Sequence, residues 1–393
     1  MPEYRVKLKK EIKRRIAFGH PWIYENEIAE EPSCENGSLV KVFTYSGQFV
    51  GKGYYNRNSL IRVRLLTRKN VNIDRKFFKD KIQRAYSLRT RWLKEKGAFR
   101  LIYSEADGLP GLIVDKFADF FVVQISTLGM SKFKETIVNV LIELFNPKGI
   151  YEKSEGSFIA KEGIEPYSGW LYGNGPNLIP FKLHEITFLA DLHGQKTGFF
   201  LDQRFNAENL SEFSTDRRVL DLFSYTGNFA FHLLKGGARE AILVDYSERA
   251  LAVAEEIARI NSFKEKIRTI NANSFDFIRN VKIGEFELIV IDPPAMLKSA
   301  TAKHNALRAY KELNLRAIRS LKDGGILATS SCTQLIRESE WLEKITEAFK
   351  DSKKIGKLLF SAGQPFDHPA LTSMHESNYL KFRSYIVSSV SEF

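Results

Sequence analysis

Only two cysteines, Cys34 and Cys332, occur in 393 residues, and they lie far apart in the chain. That scarcity excludes a disulfide framework and a cysteine-based metal site, and it fits a reducing compartment. No metal is expected. No uncharged apolar run approaches the roughly 18 residues a spanning helix needs, so no membrane partner is expected. The first ten residues are charged and lack an apolar stretch, which argues against a secretory signal and for a cytoplasmic protein. Acidic residues are sparse at the front. Residues 1–100 hold 24 Lys and Arg against 10 Asp and Glu, a net of +14, whereas the remainder holds 35 against 37, a net of −2. A basic front on a near-neutral body is an electrostatic footprint for a polyanion. A lysine-rich surface selected for solubility is the competing reading.

The length predicts more than one domain. Residues 1–71 read as a small all-β module. Segments 38–43 and 60–66 alternate or run apolar between Gly37, Gly47, Gly51 and Gly53, and a basic rim at Lys13, Arg14 and Arg15 precedes Gly19-His20-Pro21-Trp22. Residues 72–185 read as a small α+β domain. It opens with a helix over 74–96 bearing an apolar stripe (Phe78, Ile82, Ala85, Leu88, Trp92) and nine basic residues, a face that either contacts RNA or is merely solvated. A hairpin follows over 111–125, then a helix over 132–145, and residues 167–180 look like a loop. From residue 186 to 393, strands alternate with helices. Strands are expected at 218–222, 241–245, 266–270, 288–292, 325–330, 357–361 and 379–387. Helices are expected at 228–235, 247–261, 306–322 (closed by Gly324-Gly325) and 338–349. Such alternation predicts an α/β, Rossmann-like doubly wound sheet.

Four features of this last region carry chemistry. The turn Asp221-Leu222-Phe223-Ser224-Tyr225-Thr226-Gly227-Asn228 has one glycine, so it is neither a dinucleotide fingerprint nor a P-loop. Adenosine without a pyrophosphate fits it through Phe223, Ser224, Tyr225 and Gly227, and Asp245 ends the next strand where an acid takes both ribose hydroxyls. Asn273 either accepts from an adenine amine or caps the helix near Ser274. Asp292-Pro293-Pro294 stiffens the end of the fourth strand and points a carboxylate into the cleft. The following Ala295 is too small to stack a base, which argues against methylation of an exocyclic amine. Cys332 ends the fifth strand among Ser330, Ser331 and Thr333. Pyrimidine C5 becomes nucleophilic only after something adds to C6. A thiolate does that well, with an acid at N3 taking up charge. Cys332 with Asp292 therefore predicts covalent pyrimidine chemistry supplied with a methyl group, against the alternative of a buried structural cysteine.

These residues resemble the RlmI-like ribosomal large-subunit RNA cytosine-5 methyltransferases over the whole chain. Gly19-His20-Pro21-Trp22-Ile23-Tyr24 resembles that family's PUA module, a β-barrel that binds RNA. Ser104-Glu105-Ala106-Asp107-Gly108-Leu109-Pro110-Gly111 resembles its middle domain, and His368-Pro369 matches its pattern. Lys196-Thr197-Gly198-Phe199-Phe200-Leu201-Asp202-Gln203-Arg204 resembles the segment that closes over S-adenosylmethionine. The resemblance implies a class I methyltransferase domain holding S-adenosylmethionine, with Gln203, Arg204 and Asp292 beside the turn residues, Asp245 and Asn273 at the cofactor. It implies Lys13, Arg14, Arg15, His20 and Trp22 at the RNA, large-subunit (23S) ribosomal RNA as partner, 5-methylcytosine as product and a homodimer. Two departures stand out: the family often has an acid where Asn273 stands, and the other cytosine-5 RNA group has a cysteine where this chain has Ala295. Methylation of another RNA base, or a non-catalytic RNA-binding role in ribosome assembly, is the alternative.

Overall fold

The structure, a computed structural model, describes residues 4–11, 13–93, 96–297 and 302–392. Its internal contacts divide the chain into two units. One comprises Met1–Phe181, Ala190–Gly198 and Phe366–Ser377; the other comprises Lys182–Leu189, Phe199–Pro365 and Asn378–Phe393.

The first unit opens with β1 (Tyr4–Leu8), α1 (Arg14–Ala17), β2 (Trp22–Ile23), β3 (Ile28–Glu30), β4 (Leu39–Phe43), β5 (Phe49–Tyr55) and β6 (Val63–Thr67). The strands form one sheet in the order β2-β6-β5-β4-β1-β3. Alternation in β4 buries Val40 and Val42 against Val6, Leu8 and Ile23. The sequence pattern concealed β5 because Gly51 and Gly53 interrupt it. Those glycines permit close strand approach: a Cβ at Gly51 would stand 2.8 Å from the Thr67 carbonyl oxygen.

The basic helix expected over 74–96 is α2 (Arg75–Trp92), capped by Asp74, whose carboxylate accepts from Phe77 N–H at 3.0 Å. Residues 94–95 lie outside the described residues. The expected stripe is corrected at its end. Phe78, Ile82 and Ala85 are buried, but Leu88 and Trp92 are exposed, and Arg89 takes the inward position. Positions 78, 82, 85 and 89 follow the helical period, and Arg89 is accommodated by a bidentate pair with Asp107 at 2.6 Å on both arms.

A second sheet is ordered β11-β10-β9-β8-β7, from β7 (Ala98–Tyr103), β8 (Leu112–Phe117), β9 (Phe120–Ile125), β10 (Gly149–Ser154) and β11 (Tyr167–Gly173). Helices α3 (Leu128–Ser131), α4 (Lys134–Phe145) and α5 (Ser157–Glu162) connect these strands. The expected loop at 167–180 is therefore wrong in its first half. Tyr167, Trp170 and Tyr172 suit a pleated edge, and β11 pairs antiparallel with β10 despite its glycines. β12 (Leu178–Leu183) and β13 (Ile186–Asp191) form a separate two-stranded ribbon.

The second unit carries the doubly wound sheet. After α6 (Arg204–Ser211) come β14 (Arg218–Leu222), α7 (Asn228–Lys235), β15 (Glu240–Asp245), α8 (Glu248–Ile260), β16 (Ile267–Asn271) and α9 (Ser274–Arg279). The unit continues with β17 (Phe286–Ile291), α10 (Lys303–Ser320), β18 (Leu321–Ser331), α11 (Glu338–Ser352), β19 (Lys354–Ala362) and β20 (Lys381–Ser389). The strand order is β16-β15-β14-β17-β18-β20-β19, with β20 antiparallel to both neighbours. β17 is apolar but for Glu287, and β14 is buried beyond Arg218, because helices cover both faces. The expected helix end at Gly324-Gly325 is corrected: α10 stops at Ser320 and β18 begins at once. A register shift opposite Phe286 and Leu288 absorbs the extra residues, and Gly324 supplies the left-handed backbone (φ 73°).

Candidate functional site

The chain reverses direction across the sheet between β14 and β17, which run parallel side by side with Leu222 opposite Ile291. Ligands of open α/β sheets bind in the crevice at the carboxyl ends of such strands. The turn after β14 and Asp292 after β17 both lie there.

The turn is built under strain. Phe223 (φ 61°), Tyr225 (φ 48°) and Gly227 (φ 84°) all adopt left-handed backbone within five residues. A Cβ at Gly227 would meet Phe231 at 2.7 Å and Leu243 at 2.9 Å, so glycine is required on two counts. The carboxylate of Asp245 accepts from Tyr225 N–H at 2.9 Å and Ser247 N–H at 2.8 Å, tying the tip of β15 to the turn. Asp221 accepts from Ala230 N–H at 3.1 Å, and burial pushes its carboxyl well above the usual range. Its other oxygen, the hydroxyls of Ser224 and Thr226, and both side-chain polar atoms of Asn228 are buried with no hydrogen-bond partner among the described residues. Leaving one such atom unpaired costs about 1–3 kcal/mol. Five within eight residues define a cradle for a ligand bearing both donors and acceptors, and S-adenosylmethionine has that character. Asn273 caps the N-terminus of α9, its side-chain oxygen accepting from Phe275 N–H at 2.9 Å.

At the next strand, Gln203 donates to Asp292 at 2.7 Å and is itself held by Asn206 at 2.6 Å. The Ser330 hydroxyl also donates to Asp292. Burial nevertheless dominates and pushes the Asp292 carboxyl up to about 6. Cys332 is half-buried, its Sγ 3.7 Å from the Pro293 carbonyl oxygen, so thiol and carboxyl share one strand edge. Arg204 is buried against the Phe205 ring at 4.7 Å.

Sequence reasoning missed the frame around the thiol. Tyr310 on α10 bonds the hydroxyls of Ser331 (2.8 Å) and Thr333 (2.9 Å), which flank Cys332, and Lys381 donates to the Thr333 carbonyl at 3.0 Å. Tyr310 had a signal, a phenol inside the apolar stripe Ala306, Leu313 and Ala317. Lys381 had none. Cys34 packs against the first unit's core, and burial raises its thiol.

The five front-end candidates separate. Lys13 and Arg14 are exposed. Arg15 forks onto Glu27 at 2.6 and 2.5 Å, His20 is buried beside Arg15 and Glu376, and the Trp22 indole donates to Glu105 at 2.8 Å. These three hold the loop together internally. His368 is likewise buried, against Asp367 at 3.0 Å.

A PUA-like domain model matches residues 6–68, and an S-adenosylmethionine-dependent methyltransferase model matches residues 161–349. Fold and site thus define an S-adenosylmethionine-dependent methyltransferase with an N-terminal PUA-like domain, and S-adenosylmethionine is its cofactor. The chain is 35% identical over 370 residues to ribosomal RNA large subunit methyltransferase I of Alteromonas mediterranea, covering 92% of this chain and 93% of that protein. With its Vibrio parahaemolyticus namesake it shares 34% over 385 residues, 95% and 96% of the two chains. It belongs to the family of ribosomal RNA large subunit methyltransferase I. Two solved chains share the fold at TM-score 0.82 and 21% identity. One, from Streptococcus mutans and described as an S-adenosylmethionine-dependent methyltransferase, covers 97% of this chain and 99% of its own. The other, described as a methyltransferase complexed with S-adenosylhomocysteine, covers 98% and 100%. Among the described residues no helix is long and apolar enough to cross a membrane.

Proposed function

We propose that the protein methylates C5 of a cytosine in large-subunit ribosomal RNA, with Cys332 as nucleophile and Asp292 as the acid at N3. The observation that carries this reading is a soft nucleophile sharing a strand edge with a carboxyl held protonated up to about pH 6. The named substrates of the relatives support RNA as the target, and the PUA-like domain, set within residues 1–100 of net charge +14, supports RNA docking. Ala295 leaves no aromatic platform after Pro294, which favours C5 over an exocyclic amine.

The target base leaves its stack. The thiolate of Cys332 bonds to C6, the C5–C6 π pair moves toward C5, and Asp292 delivers its proton to N3. Bound S-adenosylmethionine supplies an electrophilic methyl group on its sulfonium. Once C5 carries the methyl group, loss of the C5 proton to a base restores the double bond, expels the thiolate and lets Asp292 recover the N3 proton. Tyr310, Ser331 and Thr333 hold the thiol's backbone still, and Gln203 and Ser330 orient the acid. The cofactor roles of Gln203, Arg204, Phe223, Ser224, Tyr225, Gly227, Asp245 and Asn273 belong to the same proposal. So do the cytoplasmic setting and the homodimer.

Ribosomal RNA carrying 5-fluorocytosine at the target should trap a covalent protein–RNA adduct, because fluorine cannot leave as the proton does. Cys332→Ala should abolish adduct and methylation while cofactor affinity by calorimetry stays within about twofold, a difference under roughly 0.5 kcal/mol. Cys34→Ala should change neither. Near-normal methylation by Cys332→Ala would overturn covalent catalysis and leave direct transfer to another atom, and binding without turnover would leave the assembly role.

A further inference from the structure

A cleft of about 610 Å³ in the first unit runs between the segment after β6 and the face of α2. Five bases border it: Arg68, Lys69, Lys76, Lys81 and Arg84. The three bordering carboxylates are already engaged. Asp74 caps α2, Asp80 pairs with Lys76 at 2.7 Å, and Glu105 accepts from the Trp22 indole. Arg68 is spent on the carbonyls of Ile16 (2.8 Å) and His20 (3.0 Å). Phe77, Lys81 and Arg84 follow one another at helical spacing on one face, with the Lys81 ammonium 5.6 Å from the Phe77 ring centroid.

Among the described residues neither Lys81 nor Arg84 makes an ion pair. The acid acting on Lys81 from a neighbouring element, Asp107, has its oxygens taken by Arg89 at 2.6 Å and by Tyr103 N–H at 2.6 Å. Burial, then the charge of Arg84, lowers the Lys81 pKa. A half-buried cation beside a second cation, with every nearby carboxylate occupied, is complementary to an anion.

We propose that this cleft seats the phosphodiester backbone of the RNA substrate, with Lys81 and Arg84 each engaging a phosphate and Lys69 at the rim. The inference rests on the reading of RNA as substrate and locates part of its footprint outside the residues of the PUA-like match. A cleft bordered by five bases, in a front end of net +14, suits a polyanion better than a single free anion.

The test measures binding of a fluorescein-labelled 23S ribosomal RNA transcript by the full-length protein across a potassium chloride series. Lys81→Met with Arg84→Met should weaken binding at least about tenfold and flatten the slope of log affinity against log salt by about 1 per residue removed. Lys81→Arg, which keeps the charge, should retain affinity. Lys264→Met with Lys266→Met, removing equal charge from an exposed turn of the other unit, should change affinity less than threefold. S-adenosylmethionine affinity should stay unchanged in all variants. Equal losses from both double variants, or none from the first, would overturn the cleft while leaving RNA as substrate. Absence of RNA binding by the wild-type protein would overturn the substrate reading itself. If the double variant fails to fold, Lys69→Glu at the exposed rim gives the same discrimination through affinity and salt slope.

Discussion

At the residue scale, Asp292 trades stability for chemistry. Burial outweighs the hydrogen bonds from Ser330 and Gln203, so folding pushes the carboxyl pKa up to about 6 from the 3.8 of an ordinary aspartate. A raised folded pKa contributes stability that is complete below about pH 4 and is lost as pH rises through about 6. Asp292→Asn preserves the shape and the accepting oxygen but removes the charge. It should therefore exceed the wild type in stability at pH 7 by about 1–3 kcal/mol, with the gap closing below about pH 4. Urea unfolding at the two pH values checks this, and equal gaps would exonerate the carboxylate. The same variant should lose about 10²-fold or more in turnover, since an amide cannot deliver a proton to N3.

At the element scale, α7 follows the turn proposed to hold the cofactor, and its burial sets a liability. His232 lies on this helix, stacked on Phe188 with centroids 5.5 Å apart and bonded to the Asn228 carbonyl (2.7 Å) and His184 (2.9 Å). Burial pushes its pKa down from 6.5 to about 3. A depressed pKa on a base means the unfolded chain takes up the proton first. The stability it secures is full above about pH 6.5 and drains as pH falls toward 3, by at most about 1.4 kcal/mol per unit. His232→Leu should flatten the fall of stability between pH 6.5 and 4, read from melting temperatures across that range. An unchanged slope would assign acid sensitivity to other groups.

At the scale of the whole molecule, residues of the PUA-like sheet and of the second sheet fold as parts of one unit. Glu162, at the end of α5, is buried and accepts from Ser59 (2.6 Å), Arg64 (2.7 Å) and Asn56 (3.1 Å). Tyr54 is likewise buried, bonded to the Pro110 carbonyl and Thr127 at 2.8 Å each. Removing one partner of a buried charge pair costs about 3–5 kcal/mol. Glu162→Ala should lower the stability of the first unit by about that amount. In denaturant it should move a transition reported by Trp22 and Trp170 fluorescence, and S-adenosylmethionine binding should persist below that transition. A loss under about 1 kcal/mol would mean that the two sheets are held by apolar packing alone.

The sequence alone determined the alternation of strands and helices after residue 186, because parallel strands buried on both faces must be continuously apolar and their helices must be amphipathic. It marked the candidate residues by local signals: Gly227 by a steric demand, Asp292 by its place at the end of an apolar run, and Cys332 by its place just after the polar end of β18. The tertiary structure alone decided what surrounds them. That Tyr310 and Lys381 frame the thiol, that Arg89 rather than Leu88 turns inward, and that β11 is a strand all depend on partners distant in sequence. Tertiary packing also divided the basic front end, tying up Arg15, His20 and Trp22 while leaving Lys81 and Arg84 without an ion pair among the described residues. Charge composition fixes how many cations the chain carries, but only the folded contacts fix which of them are already neutralised.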